Sequence, residues 1–337
     1  MFCVFCHRRL PDVTLTEEHV FPDAIGGRLV LKCVCKSCND QLGSYVDNQL
    51  TEDFLVRMLR LGLCIPSKGG QIPSPLHEGT IKGHPDRKGT FHPNGDGTGQ
   101  VTLQPLVERT TGPDGRERVR VVATPQEAAE ILRKIRERAN RKARDIRVLE
   151  QRQETVRKPV VSKTERSSPT NLVRALLKIA YELAVYWLGP SYAAHVTGLP
   201  ILTAVVTGVI AQVEATMGYF PPASAFGDWE IPSWYHAARL KVTTAGIWTM
   251  FRVFNVIEGR VLLVDHSGDY RQAQARWLLL DPLTGHVMEG LGPKSTAVAS
   301  PVDTGISWSA IGPNHYRVTV KYRGQESTST EMELEGV

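Results

Sequence analysis

Two Cys-x-x-Cys pairs, Cys3-Val4-Phe5-Cys6 and Cys35-Lys36-Ser37-Cys38, constrain this chain more than any other stretch of it. Two cysteines separated by two residues form a tight turn whose thiolates converge on one ion, and a second such pair completes a tetrahedral Zn2+ site. Four thiolates close the coordination sphere, so the site formed by Cys3, Cys6, Cys35 and Cys38 is structural. About 45 residues bury too little surface to fold without such a staple, which makes zinc binding here mostly folding free energy. Six cysteines in 337 residues, four of them paired in this way, fit metal ligation in a reducing compartment better than a disulfide framework. Cys33 and Cys64 are left over and read as small buried apolar residues.

The spacer of 28 residues between the pairs is longer than a compact zinc ribbon needs. It carries Thr16-Glu17-Glu18-His19-Val20-Phe21-Pro22 and then Gly26-Gly27. Thr14, Leu15, Val20 and Phe21 favour strand and the two glycines supply a sharp return, so the spacer predicts a β-hairpin. Beyond Cys38, the residues Asn39, Leu42, Val46 and Leu50 recur at helical spacing, which places the second cysteine pair at the start of a helix. The local order is strand, strand, helix.

This stretch resembles the HNH endonucleases, of the ββα-metal type that carries an accessory zinc site made by four cysteines. The residues that match are Cys3-x-x-Cys6, Glu18-His19-Val20-x-Pro22, Gly26-Gly27, Cys35-x-x-Cys38-Asn39, Leu42-Gly43 and Asp47. The same frame is similar to phage junction-resolving nucleases of the endonuclease VII type. The resemblance covers about 50 of the 337 residues. It implies that His19 activates water while Glu18 and Asn39 hold one divalent ion.

The chemistry suits those residue types independently. Phosphodiester hydrolysis needs a base for water and a cation for the charge that develops on the leaving oxygen. An imidazole titrates near neutrality, which fits His19 to the first task. Glu18 and Asn39 offer hard oxygen donors of the kind that bind Mg2+ or Mn2+. Adjacent side chains of a regular strand point to opposite faces, so Glu18 and His19 share a site only where the strand ends or bulges, and Glu17 competes with Glu18. The middle Asn that orients the His in this family has no counterpart between Arg28 and Val34, so Cys33 or a backbone carbonyl stands in its place.

After the module, Thr51 caps a short helix with Phe54, Leu55, Met58 and Leu61, and a Gly- and Pro-rich stretch runs from Gly69 to Thr111. Val101 to Leu106 and Glu117 to Val122 read as strands flanking the turn Gly112-Pro113-Asp114-Gly115. Thr124-Pro125-Gln126-Glu127 starts a long helix whose apolar positions continue to Ile146 and Leu149. The formal charge of +5 is modest, but residues 131 to 166 hold thirteen Lys or Arg against five Asp or Glu, a local net of +8. Arg133, Arg136, Arg141 and Arg144 either form a solvated face or lie along a nucleic-acid backbone.

A basic linker ends near Pro169. Leu172, Leu176, Ile179, Ala180, Leu183, Ala184, Trp187 and Leu188 then form a buried helix, followed by a small apolar segment to Gly218 that is helical in part. From Trp234 onward the pattern is that of strands: His236 to Val242, Ile247 to Val256, Val261 to Asp265, Arg276 to Leu280, Tyr316 to Tyr322 and Ser327 to Leu334. Asp265-His266-Ser267-Gly268-Asp269 reads as a polar hairpin turn.

The expected fold class is α+β, in three parts: residues 1–65, the zinc-stapled nuclease module; 66–168, a small β-sheet, long basic helix and linker; and 169–337, an α-helical plus antiparallel β-domain that recognises substrate or a protein partner. The longest apolar run, Leu199 to Ala211, is too short for a membrane span and no secretory signal is visible, so a cytoplasmic protein is expected. The expected function is a metal-dependent HNH endonuclease acting on DNA, with RNA as the other substrate, in the manner of a mobile element or phage-defence nuclease. The rival is a non-catalytic zinc module that binds nucleic acid or protein. One such site cuts one strand, so a double-strand break calls for a homodimer or two events.

Overall fold

The structure, a computed structural model, describes residues 1–292 apart from 68, 95–97, 143–145, 153–160, 164–168, 220–230, 233, 266–269 and 271, and beyond 292 the backbone of three strands within 305–333. The chain divides into two compact units: Met1–Pro73 together with Arg166–Val337, and Ser74–Glu165.

In the first unit, β1 (Leu15–His19) and β2 (Val30–Cys35) form the antiparallel hairpin expected of the spacer, and α1 (Lys36–Leu42) begins one residue after Cys35. The helical run continues through a π-helical turn at Gly43–Asp47 into α2 (Asn48–Thr51). A widened turn of this kind rotates the residues that follow it, and such turns recur at functional sites. In α3 (Phe54–Gly62) the Asp53 carboxylate caps the first turn by accepting from the Leu55 and Val56 amides.

The second unit pairs strands in the order β5-β4-β3-β8, with β3 at Gly79–Ile81, β4 at His84–Pro93, β5 at Gly99–Leu103 and β8 at Val161–Ser162. A separate hairpin joins β6 (Leu106–Thr111) to β7 (Glu117–Val122). The partner of Glu117–Val122 is therefore Leu106–Thr111 and not the strand at Val101, because the Gly112–Gly115 turn is short enough only for its immediate neighbours. The helix α4 (Pro125–Asn140) starts with the expected capping box of Thr124 and Glu127. It stops at Asn140 instead of continuing to Leu149. None of its residues is fully buried, so packing does little to extend it towards Lys142, where the apolar stripe breaks.

Back in the first unit, α5 (Pro169–Leu188) and α6 (Gly198–Thr207) precede a six-stranded antiparallel sheet. Its strands are β9 (Ala215–Tyr219), β10 (His236–Thr243), β11 (Gly246–Val253), β12 (Ile257–Asp265), β13 (Arg276–Leu280) and β14 (Val287–Leu291), in the order β14-β13-β10-β11-β12-β9. The apolar segment expected to be helical in part is α6 followed by strand β9. A three-stranded sheet of β15 (Gly305–Gly312), β16 (His315–Tyr322) and β17 (Gln325–Glu333) completes the chain, and the turn expected at His266–Asp269 lies outside the described residues.

Helix α5 is buried on every side, from Leu172 and Leu176 to Tyr181 and Ala184, because it lies between the sheet, at β9, β11 and β12, and the N-terminal module, at α2. The Tyr181 hydroxyl donates to the Val4 carbonyl at 2.6 Å, and its ring meets Phe5 at 5.2 Å. One apolar cluster thus runs from Cys3 through α5 to Leu280. Among the described residues no helix is long and apolar enough to cross a membrane.

Candidate active site

The four cysteines converge. The Sγ atoms of Cys3, Cys6, Cys35 and Cys38 all lie within 4.8 Å of one another, with Cys6 and Cys35 at 3.7 Å. Four thiols this close cannot all ionise without a cation among them, and soft sulfur donors select zinc over the hard divalent ions, so the donor set fits structural Zn2+. Burial opposes ionisation of Cys6, but Arg8 beside it outweighs burial and pulls the thiol down to about 6. Cys33 stands outside the cluster, its thiol pushed up to about 11 by burial, as befits an inert apolar side chain.

Strand β1 presents the other predicted residues. Its register pairs Thr16 with Val34 but Glu18 with Leu31, so two residues of β2 face Glu17, and the strand ends at His19. Glu17 points to solvent and meets Lys32 at 3.1 Å. Glu18 turns the other way and is only 3% exposed.

The His19 ring is half-buried, with Nδ1 3.0 Å from the Gly27 carbonyl oxygen. A carbonyl can only accept, so Nδ1 carries the proton and Nε2 bears the lone pair. The missing middle Asn is thus replaced by backbone. That carbonyl is in place because of the glycines: a Cβ on Gly27 would lie 1.7 Å from the Phe21 oxygen, and one on Gly26, at φ +83°, would lie 2.4 Å from the Pro282 oxygen.

Asn39, in the first turns of α1, donates through Nδ2 to the Glu17 carbonyl at 2.6 Å and to Thr16 Oγ1 at 3.1 Å. Glu17 offers only an acceptor there, which fixes the amide's orientation and turns Oδ1 away from the strand. The structure therefore brings the Asn39 side chain against the strand that carries His19, whereas the Glu18 carboxylate faces the interior.

There Glu18 meets a group that sequence reasoning did not place at the site. Lys178 of α5, fully buried, sends its ammonium to Glu18 Oε1 at 2.5 Å, to Asp47 at 3.0 Å and to the His19 carbonyl oxygen at 3.1 Å. Glu182, one turn further along α5 and also fully buried, lies 3.5 Å from it. Burial works to discharge Lys178, but Asp47, Glu182 and Glu18 together outweigh it and hold its pKa above the ordinary lysine range. Burial drives the Glu182 carboxyl well above the ordinary carboxylate range despite the lysine. The available signal was the pair Lys178 and Glu182, four apart in the otherwise apolar stretch from Ala175 to Leu188.

Of the basic residues on α4, Arg133 is bound to Glu130 and Glu137, Arg141 donates to the Glu137 carbonyl at 3.4 Å, Arg136 is exposed, and Arg144 lies outside the described residues.

A hairpin with histidine at the end of its first strand, stapled by four cysteines to a helix bearing asparagine, is the architecture of a ββα-metal nuclease module. Residues 3–55 match the HNH endonuclease family, so the N-terminal module is an HNH domain. A domain of this family implies a nucleic-acid substrate and a divalent metal. No curated protein and no solved structure matches the chain.

Proposed function

We propose that this protein is a metal-dependent HNH endonuclease that hydrolyses phosphodiester bonds in DNA. The observation that carries the reading is His19, held by the Gly27 carbonyl in the tautomer that leaves Nε2 as a base, within the segment that matches the family. His19 Nε2 takes a proton from the attacking water, and the Gly27 carbonyl stabilises the imidazolium by keeping its bond to Nδ1–H. Asn39, oriented by Glu17 and Thr16, would hold one Mg2+ or Mn2+ ion, and Glu18 would share it once its carboxylate turns out of the interior. A carboxylate has two oxygens, so the bond from Lys178 to Oε1 does not exhaust the donor capacity of Glu18. When bound, the ion supplies stabilisation of the charge on the leaving oxygen.

One observation favours the non-catalytic alternative, a zinc module that binds nucleic acid or protein: Glu18 is buried beside a lysine ammonium instead of facing solvent. Plasmid nicking with and without added Mn2+ separates the two. His19→Ala should keep its zinc and its fold while losing roughly 10²–10⁴ in rate, the usual contribution of a positioned base. Undiminished cleavage by that variant refutes the mechanism. Competition between DNA and RNA in the same assay decides the substrate.

A further inference from the structure

We infer that Lys178, which lies far outside the matched segment, is a positioning residue that completes the nuclease site from helix α5 by fixing the Glu18–His19 strand end. An ammonium has three N–H donors, and a fully buried one finds no water. The acceptors it finds are Glu18 Oε1 at 2.5 Å, Asp47 Oδ2 at 3.1 Å and the His19 carbonyl at 3.1 Å, which gathers three points of the HNH module around one atom. Glu182 at 3.5 Å adds a fourth neighbour without completing a hydrogen bond.

The bond to the His19 carbonyl matters most. The next residue's amide, Val20 N–H, donates to the Leu29 carbonyl at 2.9 Å, so the backbone is pinned at His19 and again one residue on. With the backbone held here, the imidazole starts from a fixed point and reaches the Gly27 carbonyl at 3.0 Å. Lys178 itself is sealed from solvent and cannot touch a DNA phosphate, so its effect passes through His19 and Glu18.

Nor does stability account for it. A buried ion cluster is commonly replaceable as a whole by apolar residues at little or no cost, since desolvation cancels the attraction, although removing the lysine alone strands its carboxylates. What an apolar side chain could not do is bond a backbone carbonyl and two carboxylates from two separate elements: Glu18 and the His19 carbonyl at the end of β1, and Asp47 in the π-helical turn.

The inference rests on the nuclease reading, and its test is built to tell the two apart. Full-length Lys178→Met and Asp47→Asn are compared with wild type and His19→Ala by plasmid nicking at saturating Mn2+, and by ¹⁵N-histidine NMR without added divalent ion. The resonance lost in His19→Ala identifies the imidazole. Lys178→Met should lower kcat about 100-fold, the cost of a catalytic group misplaced by about 1 Å, with KM for DNA unchanged. Its His19 signals should move from the single Nδ1–H tautomer to a mixture. Asp47→Asn, which keeps Lys178 on Glu18, should show a smaller change of the same kind in both.

A folded Lys178→Met protein with full kcat and an unchanged tautomer overturns the inference. If that variant does not fold, Asp47→Asn decides by the same two readouts. If wild type does not nick at all, the nuclease reading fails by itself, and the tautomer measurement still judges Lys178: a shift supports the positioning role and no shift ends it.

Discussion

His236 is fully buried between two aromatic rings, stacked on Phe21 at 5.0 Å and tilted against Phe254 at 4.7 Å. It donates from Nε2 to the Ile25 carbonyl and accepts at Nδ1 from the Phe254 amide, so it is neutral, and it ties the loop that follows His19 to strand β10. A proton on Nδ1 would face another donor. Burial above all pushes its pKa down to about 4. The native state therefore refuses a proton that the unfolded chain accepts, so the contribution is intact above about 6.5 and is lost as pH falls from there to about 4. The gap is worth about 3 kcal/mol. Urea unfolding at pH 7 and pH 4.5 should show a loss approaching that size, and His236→Gln should flatten it. An equal loss in the variant would assign the acid sensitivity to other groups.

The Gly26-Gly27 turn shows how an element can be legible while its purpose is not. The pair reads as a sharp return in the sequence, and it is one. Its tightness, however, answers to Pro282 and Phe21 and not to the hairpin alone. Gly26→Ala places a Cβ 2.4 Å from the Pro282 oxygen at φ +83°, and should cost about 2 kcal/mol or more, read as a fall in Tm with zinc retained. Other elements follow the local pattern closely. The strands expected at His236 to Val242 and Arg276 to Leu280 are found at His236–Thr243 and Arg276–Leu280, because alternating apolar residues bounded by turns leave few other choices. Helix α4 begins at its capping box, a local device, and ends early, since none of its residues is fully buried. The strands β9 and β14 went unread, β9 because its Ala and Gly residues carry little strand propensity, and both because pairing with β12 and β13 decides them.

The N-terminal module shares its core with α5 and the six-stranded sheet, from Val4 and Phe5 on Tyr181 to Ile25 on His236. A short chain stapled by zinc still leaves that apolar face uncovered. Residues 1–65 expressed alone with zinc should therefore fail to show a cooperative thermal transition, and co-expression with residues 166–337 should restore one. A sharp transition in the short fragment would show that the module is autonomous. What the amino-acid pattern determined by itself is everything set by neighbours in sequence: the cysteine frame, the hairpin and helix between and after its pairs, the histidine at a strand end, and the period of the later strands. Which way Glu18 turns, which carbonyl orients His19, and that Lys178 reaches both from 159 residues away were decided only when the tertiary fold closed. Side-chain burial and the partners of a buried charge depend on surfaces that distant segments bring together, and no local spacing encodes them.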